Sequence, residues 1–233
     1  MVAASGSAAL AQRLFFKPLV LDGGKVKWKS TALATGARIT FAFATRSIAT
    51  PGAHNCRDIG PLDSLAGPRA SLDQRAIRDA LAAALDRWER VADIHFVEIA
   101  DENSADIVIG RQSSPTGRAF ANVETRGVVD KGVKEIGRSL VCLNAAQPWK
   151  IGFDGNLEVY DLVHTFTHEI GHAIGLDHPG GAGSLMSPRY DERVADLGAG
   201  DIAGAVALYG PSRAIQRANL GSTLQRDRAR GSE

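Results

Sequence analysis

The alternation of apolar and polar positions predicts β-strands in the first two thirds of the chain. Over Arg38–Ala44, the side chains of Ile39, Phe41 and Phe43 fall on one face, which is the period of a half-buried strand. Residues 47–70 are rich in Pro, Gly, Asp and Ser and predict a long loop. Further predicted strands are the segment with Ile94 and Phe96, Asp106–Gly110, Ala119–Val123 and Ser139–Leu143.

Apolar residues with a helical period predict three helices. The first begins at Ser71, where Gln74 completes a capping-box pattern, and Trp88 lies on its apolar stripe. The second spans Val159–Leu176, and the third begins at Asp201. Because strands and helices interleave without a strict βαβ repeat, the sequence predicts an α+β fold: a twisted mixed β-sheet with the second helix and a C-terminal helix.

The chain divides into one domain and two flanking segments. Residues 22–210 contain the predicted elements and form the domain, whereas residues 1–21 form a leader or pro-like arm. Residues 211–233 carry five arginines and are expected to form a flexible basic tail. Residues 5–7 interrupt the apolar run that a signal peptide requires. No stretch approaches the roughly 20 apolar residues that span a bilayer.

The composition excludes several classes of partner. The 233 residues have a formal net charge of +1, which predicts binding to neither nucleic acid nor a membrane surface. Hydrophobic residues make up 44% and charged residues 23%, which is ordinary for a globular protein. We expect such a protein to be a monomer.

The pattern HEIGH over His168–His172 lies within the second predicted helix and indicates a metal site. A spacing of four residues places both imidazoles on one helix face. Gly175 can end the helix in a left-handed conformation, after which the chain turns back and brings His178 to the same ion. Three protein ligands leave a fourth position for water, which is typical of a catalytic rather than a structural zinc ion.

Glu169 is the candidate general base of this site. Zinc lowers the pKa of its bound water, and Glu169 accepts the proton as the water attacks a carbonyl carbon. Two alternatives are a non-catalytic, zinc-stabilised binding module, which does not need Glu169, and a zinc hydrolase that acts on a non-peptide amide. His164 lies one turn before His168, but a fourth histidine ligand would close the water position. We therefore expect that His164 does not bind the metal.

The extended motif His168–His178 resembles the zinc motif of the metzincin peptidases at every defining position. Ser184–Tyr190 resembles the Met-turn of that clan, and the resemblance makes Met186 a hydrophobic floor beneath the zinc ligands. Within the clan, the proline two residues after Met186 and the tyrosine two residues further on, Pro188 and Tyr190, resemble the pattern of the matrixins. We therefore expect a matrixin-like protein. The serralysin-like features are Thr165–His168 and Asp177–Gly180.

This resemblance implies a metzincin-like catalytic domain and a zinc-dependent endopeptidase that hydrolyses internal bonds in proteins or peptides. Substrate should bind extended along Ala119–Val123, and Pro188, Arg189 and Tyr190 should wall the pocket for the residue after the cleaved bond. The segment 110–139 lacks the loop of a second zinc site, so one zinc ion is expected, and calcium is left open without assigned ligands. We expect a secreted or cell-envelope location.

Cys56 and Cys142 are the only two cysteines of the chain. We favour a disulfide between them over two buried thiols. The third alternative is a latency thiol that caps zinc, as in matrixin propeptides. Against it, Cys56 follows the first predicted strand of the domain, and its neighbours Asn55, Arg57 and Asp58 do not match that motif.

Overall fold

The computed structural model describes residues 15–68, 70–112, 117–180 and 183–218. The largest sheet within these residues has nine strands, and the fold also contains helices. The helices are α1 (Gln74–Val91), α2 (Leu162–Ala173) and α3 (Ala199–Tyr209), and residues 213–218 are also helical. The strands are β1 (Lys17–Pro18), β2 (Val20–Leu21), β3 (Gly24–Lys27), β4 (Ala37–Phe43), β5 (Ile48–Ala49), β6 (Asp58–Gly60), β7 (Ser64–Leu65), β8 (Leu72–Asp73), β9 (Ile94–Glu98), β10 (Ile107–Gln112), β11 (Ala119–Asp130), β12 (Val133–Asn144), β13 (Trp149–Lys150), β14 (Tyr160–Asp161) and β15 (Leu176–Asp177).

The sheet is mixed, and this confirms the predicted α+β class. Strand β12 is parallel to β3 and β10, and β4 is parallel to β10 and β9. Strand β11 pairs antiparallel with β12, with Ala119 opposite Leu143. Among the described residues no other strand pairs with β11, so β11 is an edge strand, and it packs beside α2.

Two helices begin later than the sequence predicts, because an aspartate caps each of them. The Asp73 carboxylate accepts a hydrogen bond from the backbone N–H of Ala76 at 2.8 Å, so α1 begins after Asp73 and not at Ser71. The Asp161 carboxylate accepts one from the N–H of His164 at 2.7 Å. The pairing of β13 with β14 keeps the chain extended up to this cap, which shortens α2.

The hairpin of β11 and β12 is longer than the apolar pattern predicts. Each strand has 12 residues, whereas the alternation covers only Ala119–Val123 and Ser139–Leu143. Residues 126–130 are exposed throughout, so this part of β11 carries no alternation that a sequence pattern could detect. The predicted loop over residues 47–70 contains three short strands, β5, β6 and β7.

Two buried tryptophans hold α2 in place. The indole N–H of Trp88 in α1 donates to the carbonyl of Thr167 at 3.0 Å. The indole N–H of Trp28 donates to the carbonyl of Ala173 at 2.7 Å. Both indoles are fully buried. Because the two acceptors flank the segment His168–His172, these bonds fix the part of the helix that carries the metal motif.

The predicted arm and tail are only partly described by the structure. Of the arm, Lys17–Pro18 pairs with β15 next to the metal motif. Of the tail, Pro211 forms a β-bridge with Ala92. Residues 1–14 and 219–233 lie outside the described part of the chain. No helix of the described residues is both long and apolar enough to cross a membrane.

Cys56 and Cys142 are bonded to each other in the structure. The bond joins the segment before β6 to β12 across a sequence separation of 86 residues. Both side chains are buried. The Sγ atom of Cys56 lies 3.5 Å from the carbonyl oxygen of Phe120, so the bond sits directly behind the edge strand β11.

We predict that this bond stabilises the fold. Reduction should lower the free energy of unfolding by about 2–4 kcal/mol, because a cross-link over a long loop restricts the unfolded chain. Urea unfolding with and without a reductant measures the difference. The double variant Cys56→Ser/Cys142→Ser is the control, and its stability should not respond to the reductant. Two titratable thiols in the denatured, oxidised wild type would contradict the bond.

Candidate active site

Three imidazoles converge beside the C-terminal end of α2. His168 and His172 lie one turn apart on α2, and His178 follows β15. Their Nε2 atoms are 3.1 Å apart in each of the three pairs. Within the described residues, these three side chains form a group compact enough to hold one metal ion. The structure thus brings together the three ligands that the sequence predicts.

Backbone carbonyls orient two of the rings. The Nδ1 atom of His168 donates to the carbonyl of Leu185 at 2.9 Å, and that of His172 donates to the carbonyl of Leu176 at 2.8 Å. These bonds place the ring proton on Nδ1 and leave the Nε2 lone pair directed toward the centre of the group. Burial lowers the pKa of His168 to about 3 and that of His172 to about 4. Both rings are therefore neutral near pH 7, as metal ligands must be.

The spacing of the nitrogens fits zinc. Two nitrogens at 2.0–2.1 Å from a tetrahedral ion are separated by about 3.3 Å, and the observed separations are 3.1 Å. Three lone pairs at this distance repel one another unless a cation lies between them. Since the described residues supply three ligands, one position of a tetrahedral site is left for water or substrate.

Two glycines allow the backbone around the imidazoles to pack closely. A Cβ atom on Gly175 would lie 2.1 Å from the carbonyl oxygen of Val26, and the φ of Gly175 is +100°. A Cβ atom on Gly171 would lie 2.2 Å from the sulfur of Met186. The first glycine lets the chain leave α2 toward His178. The second lets Met186 pack directly against the helix at Gly171, between His168 and His172.

Asp201 of α3 anchors the segment that contains Met186. Its carboxylate accepts hydrogen bonds from the hydroxyl of Ser184 and from the N–H of Leu185, the latter at 2.7 Å. Because the carbonyl of Leu185 binds His168, Asp201 supports the orientation of a metal ligand from the last helix. The sequence marks Asp201 only as a helix start, because a hydrogen bond between residues 16 positions apart leaves no local signal.

Glu169 lies in the same cleft as the three imidazoles. Its side chain is buried, and burial raises the pKa of its carboxyl group to about 8, against the effect of a hydrogen bond from the backbone N–H of Ala121. A cation held by the neighbouring imidazoles favours the carboxylate and lowers this pKa. A carboxyl group whose pKa is moved toward neutrality by its surroundings is suited to proton transfer near pH 7.

A cleft of about 670 Å³ lies between β11 and the segment after Met186. Pro188 and Tyr190 line this cleft, and the ring of Tyr190 stacks on that of Tyr160 at 4.4 Å between centroids. Arg189 is exposed and does not contribute to the cleft lining. The structure thus places two of the three predicted wall residues at the cleft and the third outside it.

His164 lines the cleft but lies outside the group of three imidazoles. Its ring is buried and meets the ring of Tyr190 edge-on, with the centroids 4.9 Å apart. Burial lowers the pKa of His164. This histidine, one turn before His168, is therefore part of the wall beside the candidate metal centre.

A site that holds one ion with three ring nitrogens and keeps a carboxyl group beside the open position is typical of hydrolytic metal enzymes. The family model of the matrixin peptidases matches residues 64–210, which is more than half of the chain. This match confirms the resemblance found in the sequence. The chain belongs to the matrixin family of zinc metalloendopeptidases.

Several relatives are about 30% identical to this chain over the aligned residues. The probable matrix metalloproteinase 095L of Invertebrate iridescent virus 3 is 29% identical over 164 residues, which cover 67% of this chain and 44% of that protein. Metalloendoproteinase 1-MMP of Arabidopsis thaliana is 31% identical over 155 residues, which cover 64% of this chain and 42% of that protein. Interstitial collagenase of Equus caballus is 30% identical over 164 residues, which cover 63% of this chain and 30% of that protein. The chain spans less than half the length of these relatives.

We predict one tightly bound zinc ion per chain. His172→Ala should reduce the zinc content to near zero after dialysis, because two nitrogens remain where the site needs three. Elemental analysis of the purified protein measures the content. His164→Ala is the matched control, because it removes a buried imidazole from the same helix and should retain the ion. Reproducible binding of two zinc ions by the wild type would contradict the prediction.

Proposed function

We propose that this chain hydrolyses internal peptide bonds in proteins or peptides, with one zinc ion held by His168, His172 and His178. The observation that carries the proposal is the position of Glu169, a buried carboxyl group beside three imidazoles whose lone pairs face one centre. A structural zinc site has four protein ligands and needs no such group. The family to which the chain belongs supports the same activity.

The chemistry divides between the ion and Glu169. A zinc ion held by His168, His172 and His178 would supply a bound water molecule of lowered pKa and a Lewis acid for the carbonyl of the bond to be cleaved. Glu169 accepts the proton of the attacking water and transfers it to the leaving amine. Burial of the Glu169 side chain favours its protonated form, whereas a cation held by the imidazoles would favour the carboxylate, and these opposed effects suit a group that both accepts and releases a proton.

The edge strand β11 provides the main binding surface for a substrate. Its first residues, Ala119–Val123, line the cleft, and its outer edge has no partner strand among the described residues. An extended peptide can add to such an edge through backbone hydrogen bonds. Ala121 also contacts Glu169 through its N–H, so a peptide on β11 lies close to the proposed base.

The location of the protein is a further part of the proposal. A bond between Cys56 and Cys142 is favoured in an oxidising compartment. We therefore propose that the protein acts after secretion or in the cell envelope.

The test of the base is Glu169→Ala. The variant should keep its zinc and its fold but lose hydrolysis by at least about 100-fold, because general acid–base catalysis contributes a factor of that size or more. Digestion of an unbiased peptide library, with and without a chelator, measures the activity. Glu98→Ala, which removes an exposed carboxylate on β9, is the control. A Glu169→Ala protein that cleaves at the wild-type rate would show that the base lies elsewhere.

A second test concerns the pocket wall. Pro188 and Tyr190 line the cleft, whereas the guanidinium of Arg189 is exposed. We therefore expect a preference for medium to large apolar residues, such as leucine, after the cleaved bond. Arg189→Ala should leave this profile unchanged. Acceptance of acidic residues by the wild type, lost in Arg189→Ala, would show that Arg189 points into the pocket.

A further inference from the structure

Lys150 is a buried cation that is part of neither the cleft lining nor the group of three imidazoles. Its side chain is 7% exposed, and its Nζ atom contacts three oxygen atoms. They are a carboxylate oxygen of Asp154, Oε1 of Glu192 at 2.5 Å and the carbonyl oxygen of Asn156 at 2.7 Å. A buried ammonium group is stable only when it is paired in this way. The three acceptors come from two separate segments, so Lys150 joins these segments to each other.

The carboxylate of Glu192 connects Lys150 to Tyr190. Oε1 of Glu192 accepts the hydroxyl proton of Tyr190 at 3.0 Å, and Oε2 accepts the N–H of Gly155 at 2.6 Å. The hydroxyl oxygen of Tyr190 in turn accepts the N–H of Asp161 at 3.0 Å. The Tyr190 hydroxyl is thus held from both sides, and one of these bonds depends on the carboxylate that Lys150 neutralises.

The ring of Tyr190 forms part of the cleft wall. It stacks on Tyr160 and meets His164 edge-on, and all three rings line the cleft. A movement of the Tyr190 hydroxyl away from its two partners therefore displaces an aromatic wall of the pocket. The contacts run from the Lys150 ammonium through Glu192 to this wall.

The charges of the network keep it intact near neutral pH. Burial lowers the pKa of Lys150, but hydrogen bonds to Asp154 and Glu192 outweigh this effect and raise the pKa above its ordinary value. Burial raises the pKa of Glu192, but hydrogen bonds from Lys150, Gly155 and Tyr190 outweigh it and lower the pKa. Both groups are charged over the whole neutral range, so their attraction does not change there.

We propose that Lys150 is a positioning residue for the substrate pocket, acting as a tethered cation that holds Tyr190 through Glu192. Carboxylate and carbonyl oxygens from neighbouring loops are also the ligands that calcium takes in proteins. Here a lysine side chain supplies the positive charge, so the wall needs no bound ion. The proposal rests on the proposed peptidase function, because it concerns the same cleft. It assigns Lys150 no contact with the reacting bond.

The test compares Lys150→Met with Lys134→Met. Lys134 also forms an ion pair, with Asp22, but on the far part of β12 outside the cleft. For peptide cleavage, Lys150→Met should raise KM roughly tenfold and broaden the preference after the cleaved bond, because the change loosens binding without touching the reacting groups. Its kcat and its zinc content should stay near those of the wild type, and Lys134→Met should change none of these values.

A structural readout separates this proposal from the proposed function. Amide hydrogen exchange at Gly155 and Asp161 should become faster in Lys150→Met and stay unchanged in Lys134→Met, because these N–H groups bind Glu192 and Tyr190. This measurement needs no activity. If the wild type cleaves no peptide, the peptidase proposal fails, and the exchange rates alone decide the role of Lys150.

A variant that keeps the shape of the network controls for the possibility that Lys150→Met fails to fold. Glu192→Gln retains the size of the side chain but removes the charge that Lys150 binds, and it should raise KM and amide exchange in the same direction. Lys150→Arg restores the positive charge and should recover part of the wild-type KM. Unchanged exchange in Lys150→Met and Glu192→Gln, or a loss of kcat without a change in KM, would overturn the proposal.

Discussion

The hydrogen bonds that orient the two imidazoles of α2 determine how the rest of the molecule must be arranged. An imidazole offers one nitrogen to a metal in a fixed direction only when its other nitrogen is held. The acceptors here are the carbonyls of Leu185 and Leu176. Leu185 lies in the segment that Asp201 anchors from α3, and Leu176 lies in β15, which pairs with β1. Segments from both ends of the described chain therefore meet at the candidate metal centre.

How far the sequence predicts this site depends on how local each interaction is. The helix α2 and its motif were predictable, because their apolar stripe, histidine spacing and glycine stop lie within a few turns. The start of α1 was not, because Ser71 and Asp73 are both good caps. The pairing of Leu72–Asp73 with Ser64–Leu65 keeps the chain extended up to Asp73 and decides between them. Asp201 and Lys150 were missed because their partners lie on other segments.

The edge strand β11 illustrates a second limit on what the sequence can predict. Under the proposed function β11 accepts a peptide, and an edge strand with this role cannot be protected from other pairings by a covering strand. Its support comes from behind, where the bond between Cys56 and Cys142 lies against Phe120. The N–H of His54 also binds the side chain of Asn122 at 2.8 Å. These contacts support the first part of β11, and no periodic pattern in the sequence reveals them.

The two ends of α2 are held by different networks, and this separates the chemistry of the cleft from the shape of its wall. At the end of the helix, the metal motif is fixed by Leu176, Leu185 and the tryptophan bond to Ala173. At its start, the carboxylate of Asp161 caps the helix, while the N–H of the same residue binds Tyr190.

The buried ammonium of Lys150 belongs to this second network, since it binds the carboxylate that accepts the hydroxyl proton of Tyr190. Among the described residues, no hydrogen bond connects the Lys150 ammonium directly to the imidazole of His168, His172 or His178. The hydrogen bonds that orient His168 and His172 share no partner with those that hold Tyr190. Under the proposed function, the substrate preference can therefore change through the loops at the start of the helix without loss of the metal.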